Sequence, residues 1–258
     1  MIIKNKMPFF KRGEILDSQI LENLRDTPYE FYSLAYNNFF NGVITGLSIC
    51  VEKNFIVIKP GIIKYNNYYY RINKTIKIEV PLEDGDYILK IKFNSEKLVD
   101  LEKYSEHSLE VLLDLNEANK DGEMELGRIK RREGAEIKNL EGFLGIEKEY
   151  NLISEINKPQ STENGIVPSI NILKLFARKM IENKETEPMD ENFCMNILCG
   201  KITREALDIY LMKKLNVDSM NSSNEEIYLF LTKIYVGLRN SIKSRNKRII
   251  SKDKIIVE

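Results

Sequence analysis

The chain has one histidine, His107, and it follows Glu106. The two could form a base and its carboxylate orienter, but no third group stands near them in sequence, and a solvated loop histidine accounts for the pair. The cysteines are Cys50, Cys194 and Cys199. An odd count without paired spacing argues against a disulfide framework. The Cys194–Cys199 gap lacks the second Cys or His pair that a zinc site needs, which leaves buried free thiols in a reducing compartment. Glu83, Asp84 and Asp86 surround Gly85, a turn too short for a calcium loop and without its distal glutamate. Gly142-Phe143-Leu144-Gly145 lacks the Lys-Ser or Lys-Thr that would make it a phosphate cradle, and it reads as a turn. No Gly-x-Ser-x-Gly or HExxH motif occurs. These residues assign no catalytic group, no cofactor and no metal, so the chain reads as a non-enzyme.

Two further groups suit binding better than chemistry. Tyr68, Tyr69 and Tyr70 are consecutive, so on a strand Tyr68 and Tyr70 share one face and Tyr69 takes the other. An exposed tyrosine face would suit a glycan or a peptide, whereas core packing or a protein interface uses the same residues for their area. Arg239, Lys243 and Lys247 are four apart and lie on one side of a helix. They suit phosphates, but cations at a helix C-terminus and a solvated face are the simpler explanation. No aromatic residue interleaves them for base stacking.

The elements that must position these groups fall into four regions: an N-terminal helical segment (1–41), an antiparallel β domain (42–138), a linker (139–168) and a C-terminal helical domain (169–258). In the first, Ile15, Leu16, Ile20, Leu21 and Leu24 form one helical stripe. Thr27-Pro28-Tyr29-Glu30 reads as a capping box with proline at the first helical position. It opens a second helix bearing Phe31, Leu34, Ala35 and Phe39, which Gly42 stops. In the second, Val43 to Val51 alternates as one strand with a buried face. Phe55 to Ile58 follows, and Pro60-Gly61 marks a turn. Tyr65-Asn66-Asn67-Tyr68 is a tight hairpin, since asparagine tolerates the left-handed backbone. Strands at Thr75–Val80, Tyr87–Phe93, Ser108–Leu115 and Glu125–Lys130 complete a compact antiparallel sandwich or barrel. Residues 157–165, Asn-Lys-Pro-Gln-Ser-Thr-Glu-Asn-Gly, have no periodicity and read as flexible. In the fourth region Ser169, Thr203 and the Ser223–Glu226 box cap successive amphipathic helices, and a short helix begins at Asp190. The fold class is α+β: N-terminal helices feeding a β-sandwich or barrel, then a helical bundle.

The 258 residues allow one large domain or two modest ones. Thirty-nine basic and 39 acidic residues cancel, so there is no overall field to hold nucleic acid or an anionic membrane. No run approaches the roughly 20 apolar residues of a bilayer span. The N-terminus lacks a signal-peptide core, so synthesis in a host cytoplasm without a cleaved signal and without membrane insertion is expected.

Gly42 to Val51 and Ile56 to Ile62 together resemble a module of phage tail and baseplate appendage proteins, in which a helix feeds a Gly-hydrophobic-x-Gly-hydrophobic strand and then a Pro-Gly turn. Glu125 to Gly134 is similar to that module's closing strand, and the resemblance spans about residues 28 to 138. The lysine, asparagine and isoleucine bias resembles that of a low-GC Gram-positive host. The resemblance implies a structural component of a phage tail, or of the baseplate of a phage-tail-like bacteriocin particle, released by lysis. It implies an adaptor between other tail or baseplate subunits and a receptor-binding fibre, within a homo- or hetero-oligomer. Phe39, Phe40, Tyr68, Tyr69 and Tyr70 would then be neighbour contacts. A receptor- or carbohydrate-binding module using the tyrosine face, and a nucleic-acid-binding protein using the basic C-terminal helix, are the alternatives.

Overall fold

The computed structural model describes residues 10, 12–13, 17–94, 97–99, 104–119, 121–183 and 186–252, with the side chains of 97–99, 104–105 and 241–252 left aside. Ile15 and Leu16 lie outside the described residues. Residues 1–39 and 40–258 form two compact units.

The first unit holds helix α1 (Ser18–Ala35), capped by Asp17, whose carboxylate accepts from the Ile20 amide at 2.8 Å. Two helices were expected here and one is found among the described residues. Pro28 sits inside α1 and opens no new helix. The Thr27 hydroxyl donates back to the Asn23 carbonyl at 2.6 Å, so it does not cap Glu30. Proline lacks the amide that would continue the hydrogen-bond ladder, but its backbone angle is helical, and one missing bond bends a helix without ending it.

The second unit begins with β1 (Gly42–Gly46), β2 (Ile49–Glu52), β3 (Phe55–Ile58), β4 (Gly61–Tyr65), β5 (Tyr68–Ile72), β6 (Ile76–Glu79) and β7 (Gly85–Phe93). It continues with β8 (Lys97–Val99), β9 (Tyr104–Glu106), β10 (Leu109–Asp114), β11 (Glu123–Arg131), β12 (Ile153–Ser154), β13 (Gln160–Thr162) and β14 (Gly165–Val167). Helices α2 (Ile170–Ile181), α3 (Pro188–Leu198), α4 (Arg204–Leu215) and α5 (Asn224–Lys252) follow. The strands make sheets in the orders β14-β13-β1-β4-β5, β10-β7-β11-β12 and β2-β3-β6, with β8-β9 as a separate hairpin. All pairs are antiparallel except β1–β13, which is parallel through Val43 and Gln160.

The alternating stretch Val43–Val51 is two strands in two sheets. Gly46 and Leu47 both take positive φ (74° and 49°) and turn the chain between them. The return strand turns at the same height, so β1 pairs with β4 while β2 pairs with β3. Pro60-Gly61 is therefore the corner of a folded hairpin. The corner is tight: a Cβ on Gly46 would lie 2.2 Å from the Pro60 carbonyl oxygen, and one on Gly61 would lie 2.0 Å from a Leu47 methyl. At the tip, Asn66 and Asn67 take φ of 47° and 62°, the geometry that their sequence predicts.

Two hydrophobic cores result. The β core gathers Leu47, Ile56, Ile58, Ile63, Leu89, Ile91 and Leu126, all fully buried, with Ile153. The helical core gathers Leu173, Phe176, Cys194, Ile197, Leu207, Tyr210, Leu211, Ile227, Tyr228 and Leu231. Each large side chain so buried contributes about 1.5–3 kcal/mol.

Residues 139–168, expected as a pliant linker, are instead the joint between these cores. β12 pairs with β11, and β13 inserts between β1 and β14. Leu152 and Ile156 enter the helical core while Ile153 enters the β core. The buried Lys158 ammonium donates to the Leu47 carbonyl and to Glu155 at 2.8 Å. The buried Glu155 carboxylate also accepts from the Ser169 hydroxyl at 3.1 Å and from the Asn171 amide at 2.9 Å. One buried ion pair thus ties the β corner to the start of α2. The loop-forming residues that suggested flexibility are here engaged in specific hydrogen bonds.

Candidate interaction surfaces

Of the turn acids Asp84 is engaged within the protein, and so is the histidine. Asp84 accepts from the Glu133 amide at 2.6 Å. His107, expected in solvent, stacks on Tyr68 with ring centroids 3.7 Å apart. Of the thiols, Cys194 is buried, Cys50 half-buried and Cys199 exposed, so Cys199 departs from the expected burial. Burial pushes the Cys194 thiol up to about 12.

A second acidic group surrounds an amine. The buried Lys90 Nζ lies 3.2 Å from both Asp114 and Glu123 and donates to the Asn116 carbonyl at 3.3 Å. Glu123 also accepts from the Asn119 amide at 2.8 Å. That backbone bond, followed by Lys90, holds its carboxyl below the usual range against desolvation. Desolvation would lower Lys90, but its bonds to Glu123 and Asp114 outweigh it and raise the amine.

The tyrosine row divides as its spacing predicts, but mostly into packing. Tyr70 is buried in the β core, and Tyr68 is half-buried between Tyr70 and His107. Tyr69 is half-buried on the other face, with the Lys64 amine 5.8 Å from its ring centre. Tyr65 and Phe93 stack beneath, 4.0 Å apart. Little of this cluster is left as an open platform for a sugar ring.

The apolar residues of α1 make a different surface. None of the helix is buried. Leu21, Leu24, Phe31 and Leu34 are 51, 46, 68 and 81% exposed. With Pro28 they follow a spacing of three and four residues that lines one side of a helix. Phe39, half-buried, packs edge-on against Tyr36 at 5.1 Å. Phe40 begins the second unit and is 51% exposed.

A further surface was missed in the sequence. The inward stripe of α4 is Leu207, Tyr210 and Leu211. Its outward stripe is Glu205, Asp208, Ile209, Met212 and Asn216, and with Val217 to Met220 this lines a groove of about 860 Å³. Ile209 and Met212 are 48 and 49% exposed, and Met220 is 74% exposed. The signal was a second apolar pair, Ile209 and Met212, on a helix whose buried face was already complete. Arg204 fixes the groove's floor. Its guanidinium pairs with Asp208 at 3.0 Å and donates to the carbonyls of Ile166, Ser219, Met220 and Ser222. Its stem crosses Gly165, where a Cβ would lie 2.7 Å away. A smaller cavity of about 280 Å³ lies between β11, β12 and the start of α5. Its Arg128 is already held by Glu117 and Glu125 at 2.7 Å each.

Arg239 is exposed on α5, with its guanidinium 5.8 Å from the Tyr235 ring centre. Lys243 and Lys247 follow on the same helix, and their side chains lie outside the described residues. Among the described residues no helix is long and apolar enough to cross a membrane.

No protein-family model matches the chain, and none of the curated proteins matches it in sequence. Among solved structures, the chain is similar to one titled "Crystal structure of TssK", with a TM-score of 0.38 and 8% identity over 91% of this chain and 69% of that one. A likeness of that degree fixes neither fold nor function.

Proposed function

We propose that the protein is a non-enzymatic structural component of a phage tail or phage-tail-like particle, an adaptor in the baseplate that joins neighbouring subunits to a receptor-binding fibre. The observation that carries this reading is α1, an 18-residue helix that buries none of its residues and exposes four large apolar ones. An isolated helix of that length is marginal in water, and an internal proline costs about 3 kcal/mol more. Such a helix gains its stability from a surface that it covers. The order of motifs over residues 28–138, which resembles a tail appendage module, supports the same role. The buried carboxylates Asp190 and Glu155 support it differently. Each is saturated by structural partners, Tyr210 and Lys214 for the first, and Lys158, Ser169 and Asn171 for the second, so neither is poised to act on a substrate.

The test is incorporation. A tagged full-length chain expressed in its host during particle production should co-sediment with particles at a fixed ratio to the sheath or tube subunit. Leu24→Glu with Phe31→Glu should shift it to the free fraction. A chain that stays free while complete particles form without it would refute the proposal.

A further inference from the structure

We propose that the groove on α4 receives the basic end of α5 from a second copy of the chain, so that copies join head to tail. This inference goes beyond the baseplate reading and does not depend on it.

The groove has the make-up of a helix receptor. Ile209, Met212 and Met220 supply apolar contact, and methionine adapts to irregular partners. Glu205 and Asp218 stand exposed in its lining and make no ion pair among the described residues, with Asp218 accepting from the Met220 amide at 3.1 Å, while Asp208 is neutralised by Arg204. The surface is therefore apolar with a net negative rim. Arg204 ties the 219–222 backbone to α4, so the shape is set before anything binds, which lowers the ordering cost of association.

The complementary element lies in the same chain. From Arg239 to Lys252, α5 carries Arg239, Lys243, Arg245, Lys247, Arg248 and Lys252, no acid, and the apolar Ile242, Ile249 and Ile250. A helical segment whose sequence combines cations with isoleucines suits an apolar groove with acidic margins. The donor must be another molecule. α5 starts at Asn224, four residues past Met220, and runs unbroken to Lys252. At a rise of about 1.5 Å per residue, Lys243 lies about 28 Å and Lys252 about 42 Å along the axis from that start. A continuous helix cannot return its own far end to a groove beside its beginning. Groove and donor are different surfaces, so the contact is heterologous and builds a ring or a filament of copies.

The test uses the full chain and follows mass by sedimentation velocity at low and high salt. Wild type should grow with concentration, and growth should weaken as salt rises. A groove variant, Glu205→Lys with Met212→Lys, and a helix variant, Lys243→Ser with Lys247→Ser, should each lose that growth while keeping the wild-type melting temperature. Mixed in equal amounts, the two variants should form one 1:1 complex and nothing larger, because only one intact groove meets one intact helix end. A wild type that does not grow at about 100 µM, a concentration at which any Kd of about that value or tighter shows, would overturn the proposal. So would growth that survives the groove variant, which is the outcome if α1 joins the copies, or a mixture that forms no 1:1 complex.

Discussion

Lys158→Met separates the two cores at their joint, and its cost follows from the geometry. Methionine fills nearly the same volume but removes the ammonium that serves the Leu47 carbonyl and the Glu155 carboxylate. Breaking a buried pair by deleting one partner costs about 3–5 kcal/mol, because the other charge stays buried. Glu155 keeps the Ser169 hydroxyl and the Asn171 amide, which points to the lower end, while the orphaned Leu47 carbonyl adds back about 1–3 kcal/mol. A loss of about 4 kcal/mol is expected, or about 8–16 °C of Tm for a body of this size. Glu155→Gln should cost a similar amount, since it leaves the Lys158 charge buried without its counterion and replaces one accepting oxygen with a donor. The double variant should cost less than the sum of the singles, with a coupling of about 1–3 kcal/mol. Urea unfolding followed by far-UV circular dichroism gives each value. Lys158→Met within about 1 kcal/mol of wild type, in the range of surface substitutions, or an additive double variant would refute the claim that this pair holds the joint.

The Lys90 cluster makes stability depend on pH at both ends. Glu123 is lowered in the fold, so its contribution is present above the unfolded carboxyl value of about 4.3 and is lost as pH falls through the folded one. Lys90 is raised, so its contribution is complete below about 10.4 and is lost as pH rises through the folded value. Lys90→Met should flatten a plot of Tm against pH at the alkaline limit and only in part at the acid limit, where the Asn119 amide still holds Glu123 down. Gly61→Ala should destabilise by about 2–4 kcal/mol, as overpacking at a corner does, and chemical denaturation would register it. A thiol reagent at pH 8 should label the exposed Cys199 quickly and Cys194 only after unfolding, resolved by peptide mass spectrometry. Leu34→Glu should leave the Tm within about 0.5 kcal/mol equivalent, because that side chain is not part of a core.

What the sequence made legible was local. The Asn66-Asn67 hairpin and the caps at Ser169, Thr203 and Ser223 follow from backbone chemistry within four residues, and each forms as expected. The α+β succession of a helix, strands and then helices follows from periodicity alone. What escaped depends on residues far apart in the chain. Gly46 and Leu47 break an unbroken alternation only because Pro60 and Gly61 bend beside them. Residues 153–167 form strands too short, at two and three residues, to display a period. Their order comes from partners such as Val43, 117 residues away from Gln160. Among the candidate surfaces, the apolar residues of α1 were visible as a stripe and the basic end of α5 as a spacing. The α4 groove was not, because half of its lining comes from the loop after the helix.

The parallel pairing of β1 with β13 also governs the order in which the molecule can be made. As the chain leaves the ribosome, β1 meets β4 within a few seconds of synthesis, but its other edge stays bare until Gln160, 95 residues beyond Tyr65, has emerged. During that interval the nascent β portion carries an open strand edge, able to recruit a neighbouring nascent chain. The arrival of residues 158–162 closes that edge and, through Lys158, supplies the missing donor to the corner. A polypeptide cut at residue 138, where the alternating pattern read from the sequence finishes, would remain in the unsealed state.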